Sequence, residues 1–400
     1  MSRAAAPVPD LPIRAEVRAA VRSLDLARAS AELDRAPRFP REQFRALGRL
    51  GLLGLRTPEA FGGRGLSMVA AGAGLFELAY GAGTTFAKLS LQPDFCGILA
   101  ERGSPELVDR YFRPLAQGER LVGYHVTEPH AGSDAGAIAL EARREGDEYV
   151  LTGTKSQAAF ATDADAAIVF ARTSPPERGK AGISAILVPQ DLEGIERSAG
   201  NDLGERWMRR GTVRYHGVRV PVAHRLGEEG RTFDDLKGEF HRERLLLAAV
   251  YLGVGRASFD ATVAYAGRRT AFGRPIARHE AVGFPIVEDW ARLDAAWLYI
   301  ERALVGFDAG RDVSAEAALS KWLATETALT AIDHAIQFHG GEGYSNALPH
   351  EQRWRDVRSG ALAHGPSEIM HLVAARELWP RGPAEAPRPR PGVGTATRPA

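Results

Sequence analysis

Two short segments carry the residue types best suited to holding a charged or aromatic ligand. The first, Tyr124-His125-Val126-Thr127-Glu128-Pro129-His130-Ala131-Gly132-Ser133-Asp134, is polar and built from small side chains. Such a loop exposes backbone N–H groups, which suit a phosphate or the edge of a flavin ring; its plain reading is a Gly/Ser/Asp turn. The second, Gln337-Phe338-His339-Gly340-Gly341-Glu342-Gly343-Tyr344, contains three glycines. Without a Cβ they allow close approach of the backbone to a ligand, and their plain reading is a helix C-cap. Familiar catalytic motifs are otherwise missing. Gly153-Thr154-Lys155-Ser156 imitates the end of a phosphate loop but lacks the upstream Gly and interrupts the Gly-Lys-Ser order. The 11 histidines include no His-Glu-x-x-His pair, and His334 and His339 stand on different helix faces, so no metal site is expected. No Gly-x-Ser-x-Gly elbow is present either, which argues against hydrolase chemistry.

The elements that must position these segments follow from periodicity. Apolar positions from Val17 to Leu33 suggest a helix or two, broken by Pro37 and Pro40. Helical spacing returns from Arg41 to Leu50 and, after a glycine-rich loop, from about Met68 to Ala82; a further helical stretch ends near Leu115. Between about Leu121 and Pro221 the texture changes to β-type runs, Tyr149–Leu151, Ala166–Ala171, Ile183–Val188 and Val213–Val220, with Gly146-Asp147 as a hairpin turn. Beyond Phe233 long helices resume. Val282, Ile286, Trp290, Leu293, Trp297, Ile300 and Leu304 step by three and four, a stripe for the core of a helix bundle. A further helix is expected from Ser314 as N-cap to about Phe338, ended by Gly340-Gly341. The segment Arg381–Ala400, rich in Pro, reads as a disordered tail.

Composition bounds the function. The 400 residues are 44% hydrophobic and 25% charged, ordinary for a globular chain of two or three domains. Lys plus Arg (51) nearly cancels Asp plus Glu (50), so the formal charge of +1 leaves no field to collect nucleic acid. The single cysteine, Cys96, forms no intrachain disulfide, which fits a reducing, cytoplasmic setting. The N-terminal residues lack a signal-like apolar region and no stretch reaches the roughly 18 apolar residues of a membrane span, so a soluble protein without a membrane partner is expected.

Residues spread along the chain then carry a resemblance. They are Gly51-Leu52-Leu53-Gly54-Leu55 with Phe61-Gly62-Gly63-Arg64-Gly65, the Thr127-Glu128-Pro129 and Ala131-Gly132-Ser133-Asp134 box, and Val218-Arg219-Val220-Pro221. Glu243-Arg244-Leu245, Arg269 with Phe272-Gly273-Arg274-Pro275-Ile276, Gln337 to Tyr344, Arg355-Asp356, Ser367-Glu368-Ile369 and Ala375-Arg376-Glu377 extend it. Over about residues 38–380 the chain resembles the acyl-CoA dehydrogenase family. The resemblance implies an α+β multidomain fold. It divides into an extension at 1–37, an N-terminal helical domain at 38–120, a β-barrel-like middle domain at 121–230, a C-terminal four-helix bundle at 231–380 and the tail at 381–400. It further implies FAD between the middle and C-terminal domains, with its adenosine half reaching a neighbouring subunit of a dimer or tetramer. By motif match Tyr124, Val126 and Thr127 would contact the flavin, Gly132 and Ser133 would border its pyrophosphate and the thioester, and Arg244 would serve the substrate. Arg269, Phe272, Gln337, Gly340 and Gly341 would hold the adenosine diphosphate half, and Glu368 is a further cofactor position. The implied substrate is an acyl-CoA or acyl-carrier-protein thioester, and the implied electron acceptor an electron-transfer flavoprotein.

Two departures stand out against that pattern. The usual C-terminal base, a Glu before Gly-Thr, is replaced by His364 in Ala363-His364-Gly365-Pro366. The isovaleryl-CoA type places its base on an earlier helix, at the position of Glu243 in Arg242-Glu243-Arg244-Leu245, so Glu243 is the candidate base and His364 the other. Where the family carries Trp-Ile-Thr over the flavin, this chain has Gln157-Ala158-Ala159, which removes a stacking surface and an N5 donor. Three functions therefore stay open: an acyl-thioester dehydrogenase, a flavin-poor partner subunit in a hetero-oligomer, and altered chemistry on the same fold, oxygen-using or non-redox.

Overall fold

A computed structural model describes residues 8–379, apart from the side chains at positions 176, 234, 235 and 237; the expected tail at 381–400 lies outside the described residues. Helices α1 (Pro12–Ser23), α2 (Leu26–Arg35), α3 (Arg41–Arg49) and α4 (Met68–Ser90) lead into the short helices α5 (Gln92–Phe95), α6 (Gly97–Arg102), α7 (Pro105–Leu107) and α8 (Arg113–Ala116). Residues 12–35, expected as part of an extension, instead lie within this helical unit. The apolar faces of α1 and α2 need cover, and Val17, Leu26 and Leu33 find it in the same core as Phe76 of α4. Two glycines make the approach possible: a Cβ on Gly74 would stand 2.9 Å from Ile13 Cγ1, and one on Gly81 2.9 Å from Val21 Cγ1. Helix α4 also runs past the expected end at Ala82, because Gly83 absorbs a kink at φ 75° and the chain continues helically to Ser90.

The middle of the chain forms β1 (Val122–His125), β2 (Glu141–Glu145), β3 (Glu148–Ala158), β4 (Ala166–Arg172), β5 (Ile183–Pro189), β6 (Ile195–Ala199), β7 (Gly211–Pro221) and β8 (Arg225–Leu226). Their order is β6-β7-β3-β2-β4-β5-β8, with β1 lying parallel on β4 so that Tyr124 faces Ile168. Strand β4 is buried along its whole length, and its two faces serve different cores. Ile168 and Phe170 point into the helical core, Val169 and Ala171 into a cluster interior to the β domain with Leu151, Val188 and Val213. This double burial locks the end of β1, which carries the first candidate segment, between sheet and helices.

The remainder is α9 (Thr232–Asp235), α10 (Lys237–Arg268), the hairpin β9 (Thr270–Ala271) and β10 (Arg274–Pro275), α11 (Glu280–Asp308), α12 (Ser314–His339), α13 (His350–Arg358) and α14 (Ser367–Leu378). Helices α10, α11, α12 and α14 form the bundle, with α4 laid against α10. Among the described residues α10 is long and apolar enough to cross a membrane by length and composition, yet 83% of that window is buried inside the chain, as in a core helix. The stripe on α11 divides. Leu293, Trp297, Ile300 and Leu304 are buried, whereas Val282, Ile286 and Trp290 are half-buried beside exposed Phe284 and Val287, because the first turns of α11 reach beyond the bundle. Ser314 is the first helical residue of α12 rather than its N-cap; its hydroxyl donates to Asp312 (2.6 Å) and meets His241 Nε2 (3.1 Å). Gly340 ends α12 at φ 63°, as expected.

Candidate active site

The first segment is tied down by a buried charge. Glu128, 3% exposed, accepts the backbone N–H groups of Ala139 (2.7 Å) and Leu140 (3.0 Å) and the ammonium of Lys155 (2.7 Å). Lys155 also donates to the Val126 carbonyl at 2.9 Å, and burial pushes its amine down to about 8 against the opposing pull of Glu128. The Thr127 carbonyl accepts from Ser156 N–H at 2.9 Å. Gly132 and Ser133 remain exposed, with nothing within 4 Å of a Cβ on Gly132. At the end of β3 the register shifts between Lys155 and Ala158, with Gln157 in the left-handed region at φ 51°. Ala158 is buried; Ala159 is half-buried, and its carbonyl accepts from His125 Nε2 at 3.1 Å. That imidazole also meets the Tyr215 hydroxyl at 3.3 Å, and burial pushes it down to about 4, so it is neutral.

Beside this loop the first turns of α10 present Glu239 and Glu243 four residues apart, on one helix face. Glu243 is 3% exposed, and its Oε1 has no hydrogen-bond partner. Burial pushes its carboxyl up to about 8, opposed by Arg242 and Arg244. Glu239 and Asp94 are also buried, and burial raises them to about 8 and about 7. Arg242 stands 3.9 Å from Glu239 and donates to the Asp94 carbonyl at 3.4 Å. Gly97 makes room for it, since a Cβ there would meet Arg242 Nη2 at 2.7 Å. The Tyr124 hydroxyl is buried without a hydrogen-bond partner, and burial, then the nearby charges of Glu243 and Glu239, raise its pKa.

His364 completes the group. It sits at φ 54°, stacks on Phe95 with ring centroids 4.9 Å apart, and brings Nδ1 to 3.6 Å from Glu243 Oε2. Burial, then the cations Lys88 and Lys321, hold it well below the usual imidazole value, so it is neutral although 30% of its side chain is open. The two candidate bases thus face one another, too far apart for a hydrogen bond. Arg244 runs behind this loop with its guanidinium 5.9 Å from the Phe240 ring and its buried Nε unpartnered. Glu368 is exposed in the first turn of α14.

The remaining expected residues are gathered elsewhere. Arg269 caps the C-terminus of α10 and is exposed; Phe272 tips the β9–β10 turn at φ 49° and is 96% exposed. Gln337, Gly340 and Gly341 are exposed at the end of α12, which meets the end of α10 where Tyr265 stacks on His339 at 4.2 Å. From Glu243 to Arg268 the helix rises about 38 Å at 1.5 Å per residue. One chain therefore holds the two sets at opposite ends of α10. Sequence reading missed Phe95, Asp94, Glu239 and the buried pair Lys88–Glu205; the available signal was charge inside apolar stretches, as in Glu239 one turn before Glu243. Among the described residues no group of His, Cys, Asp and Glu gathers as a metal site.

Comparison with known proteins covers nearly all the described residues. Models of the acyl-CoA dehydrogenase N-terminal, middle and C-terminal domains match residues 11–119, 123–218 and 230–379. The short-chain specific acyl-CoA dehydrogenase of mitochondria from Rattus norvegicus is 35% identical over 357 residues, 88% of this chain and 86% of that protein. Butyryl-CoA dehydrogenase from Megasphaera elsdenii superposes with a TM-score of 0.86 at 25% identity, over 92% of this chain and 99% of that one. A prolyl acyl carrier protein oxidase superposes with a TM-score of 0.85 at 26% identity, over 92% and 98%.

Proposed function

Because the chain belongs to the acyl-CoA dehydrogenase family, a family of flavoprotein oxidoreductases acting on CH–CH groups, we propose that it desaturates an acyl thioester between Cα and Cβ with Glu243 as base. The observation that carries this reading is the Glu243 carboxyl, buried, with one oxygen unpartnered and a pKa raised to about 8. An α-proton of a thioester is weakly acidic, and a carboxylate stripped of water takes it far better than a hydrated one. Glu243 Oε1 receives that proton, and the electron pair of the broken C–H bond becomes the second bond between Cα and Cβ. FAD, when bound, supplies the acceptor for the hydride that leaves Cβ. Neutral His364, braced on Phe95, walls the site opposite α10 and adds no cation to Arg242 and Arg244 beside the Glu243 carboxyl.

The residues present fit FAD. The unpartnered Tyr124 hydroxyl and the half-buried Thr127 suit the ring, and the open loop at Gly132 and Ser133 suits a pyrophosphate and the thioester. Ala158 and Ala159 offer only methyl groups and backbone there. The adenosine side, Arg269, Phe272, Gln337, Gly340 and Gly341, is too distant along α10 to serve the same molecule, so a second copy supplies it in a homodimer or tetramer. Phe272, Phe284 and Val287, 96%, 62% and 61% exposed, are apolar surface available to that copy. Acyl-CoA or acyl-carrier-protein thioesters are the substrates this reading implies, Arg244 and Ser133 serve them, and an electron-transfer flavoprotein is the acceptor.

Replacing Glu243 by Gln is expected to lower α-proton exchange of a bound thioester by about 1,000-fold, with flavin content and melting temperature retained. Exchange at the wild-type rate in that variant would overturn the assignment. The wild-type rate should climb as pH passes through about 8, where Glu243 loses its proton. The segment Gln157-Ala158-Ala159 favours a second reading, a flavin-poor subunit lending its adenosine-side residues to a partner with a complete ring site. A visible spectrum of the purified chain separates the two: near one flavin per chain in a homo-oligomer supports the dehydrogenase, and a colourless chain that gains flavin only beside a second, related chain supports the partner.

A further inference from the structure

Lys321 lies two turns into α12 and is 1% exposed, yet no step of the reaction above uses it. Its ammonium donates to two backbone carbonyls, those of Ala363 (2.6 Å) and Gly365 (2.5 Å), which flank His364. That stretch is the most contorted near the site. His364 at φ 54° and Gly365 at φ 88° are consecutive left-handed residues. For a non-glycine residue this conformation is strained and persists only where the surroundings hold it. The same turn directs the His364 ring onto Phe95 and toward Glu243. Burial, with Lys88 and Arg244 nearby, pushes the Lys321 amine down to about 7, and an amine keeps two N–H donors for two carbonyls in either protonation state.

We propose that Lys321 is a positioning residue for the catalytic end of α10, clamping the carbonyls on either side of His364 so that the imidazole is held against Phe95 and opposite the Glu243 carboxyl. This rests on the reading of Glu243 as the base. A long buried amine suits the task because one side chain from a rigid helix reaches both half-buried carbonyls at once. The charged and titratable groups around the imidazole are Glu243 and Arg244 from α10, Lys88 from α4, Lys321 from α12, and Glu205 and Arg210 from the β domain.

The test compares wild type with Lys321→Met and Lys321→Arg in the full-length holoenzyme. It follows the His364 imidazole by NMR with labelled histidine, assigned through His364→Asn, and α-proton exchange with butyryl-CoA as the probe. In Lys321→Met the loop relaxes, and the His364 ring, already partly open, leaves Phe95 and the surrounding cations and titrates near its ordinary value of about 6.5. The exchange rate then falls about 100-fold with KM nearly unchanged, as expected when the wall opposite the base is displaced and water reaches the Glu243 carboxyl while substrate binding stays intact. Lys321→Arg, which keeps the donors, restores both toward wild type. A folded Lys321→Met enzyme in which His364 titrates as in wild type and exchange is undiminished, whatever its melting temperature, would show that Lys321 only holds the fold and overturns the proposal. Glu243→Gln, measured in parallel, separates the two ideas: exchange retained there removes the base assignment, while the His364 titration still reports on the clamp.

Discussion

The two ends of α10 gather their polar residues in opposite settings. At the N-terminal end Glu239, Glu243 and Asp94 lie out of water behind the partly open His364 loop, carboxyl oxygens of Glu239 and Glu243 are unpartnered, and burial has displaced the protonation equilibria of all three. At the C-terminal end Arg269, Phe272, Gln337, Gly340 and Gly341 stand in solvent. In the sequence reading, the departures from the family pattern, His364 and Gln157-Ala158-Ala159, belong with the first end, and the positions that keep the pattern, Arg269, Phe272, Gln337, Gly340 and Gly341, with the second. A buried site ties each residue to its neighbours, so changing one group invites others to change with it. An exposed binding surface needs only its donors and its glycines.

That contrast is open to direct attack. The largest effect is expected from Lys88→Met, which leaves Glu205, 0% exposed, with Arg210 as its remaining ion-pair partner. A loss of about 3 kcal/mol of stability is expected in chemical denaturation, since removing one partner of a buried ion pair costs far more than removing one from an exposed pair. Next, Arg269→Ala should weaken flavin affinity roughly 10- to 100-fold, the worth of a charge-assisted hydrogen bond, without moving the apoprotein's melting temperature. A fall in that temperature would mean the exposed end is structural after all. The smallest effect belongs to Ala159→Thr, which returns a hydroxyl to the flavin side and should tighten flavin binding by about 1 kcal/mol, roughly fivefold, read by equilibrium titration. No gain there would place Ala159 away from the ring.

Much of this molecule is legible without coordinates where one local rule acts alone. The β runs fall where alternation and the Gly146-Asp147 turn place them, and Gly340 ends α12 because only a residue without Cβ takes that backbone turn easily. Legibility fails where two segments meet. The helices at 12–35 read as an extension because nothing in their own pattern says that Gly74 and Gly81 on α4 were left bare to receive them. Helix α4 reads as ending at Ala82 because local signals do not distinguish a kink at Gly83 from an end. At the site, Glu243 and His364 were both named from motif positions, but their separation of 3.6 Å, the stack on Phe95 and the carboxyls of Asp94 and Glu239 beside them arise from packing between distant parts of the chain.

By itself, then, the sequence determined the order of helices, strands and helices, the family, and the residue types available at each motif, because these depend on spacing along one segment. Only the tertiary structure decided which of those residues lie together, that Glu243 is dry and raised to about 8 while His364 is held neutral, and that the set proposed for the adenosine half lies about 38 Å away along α10. Burial and proximity set those properties, and both are products of how separate elements pack.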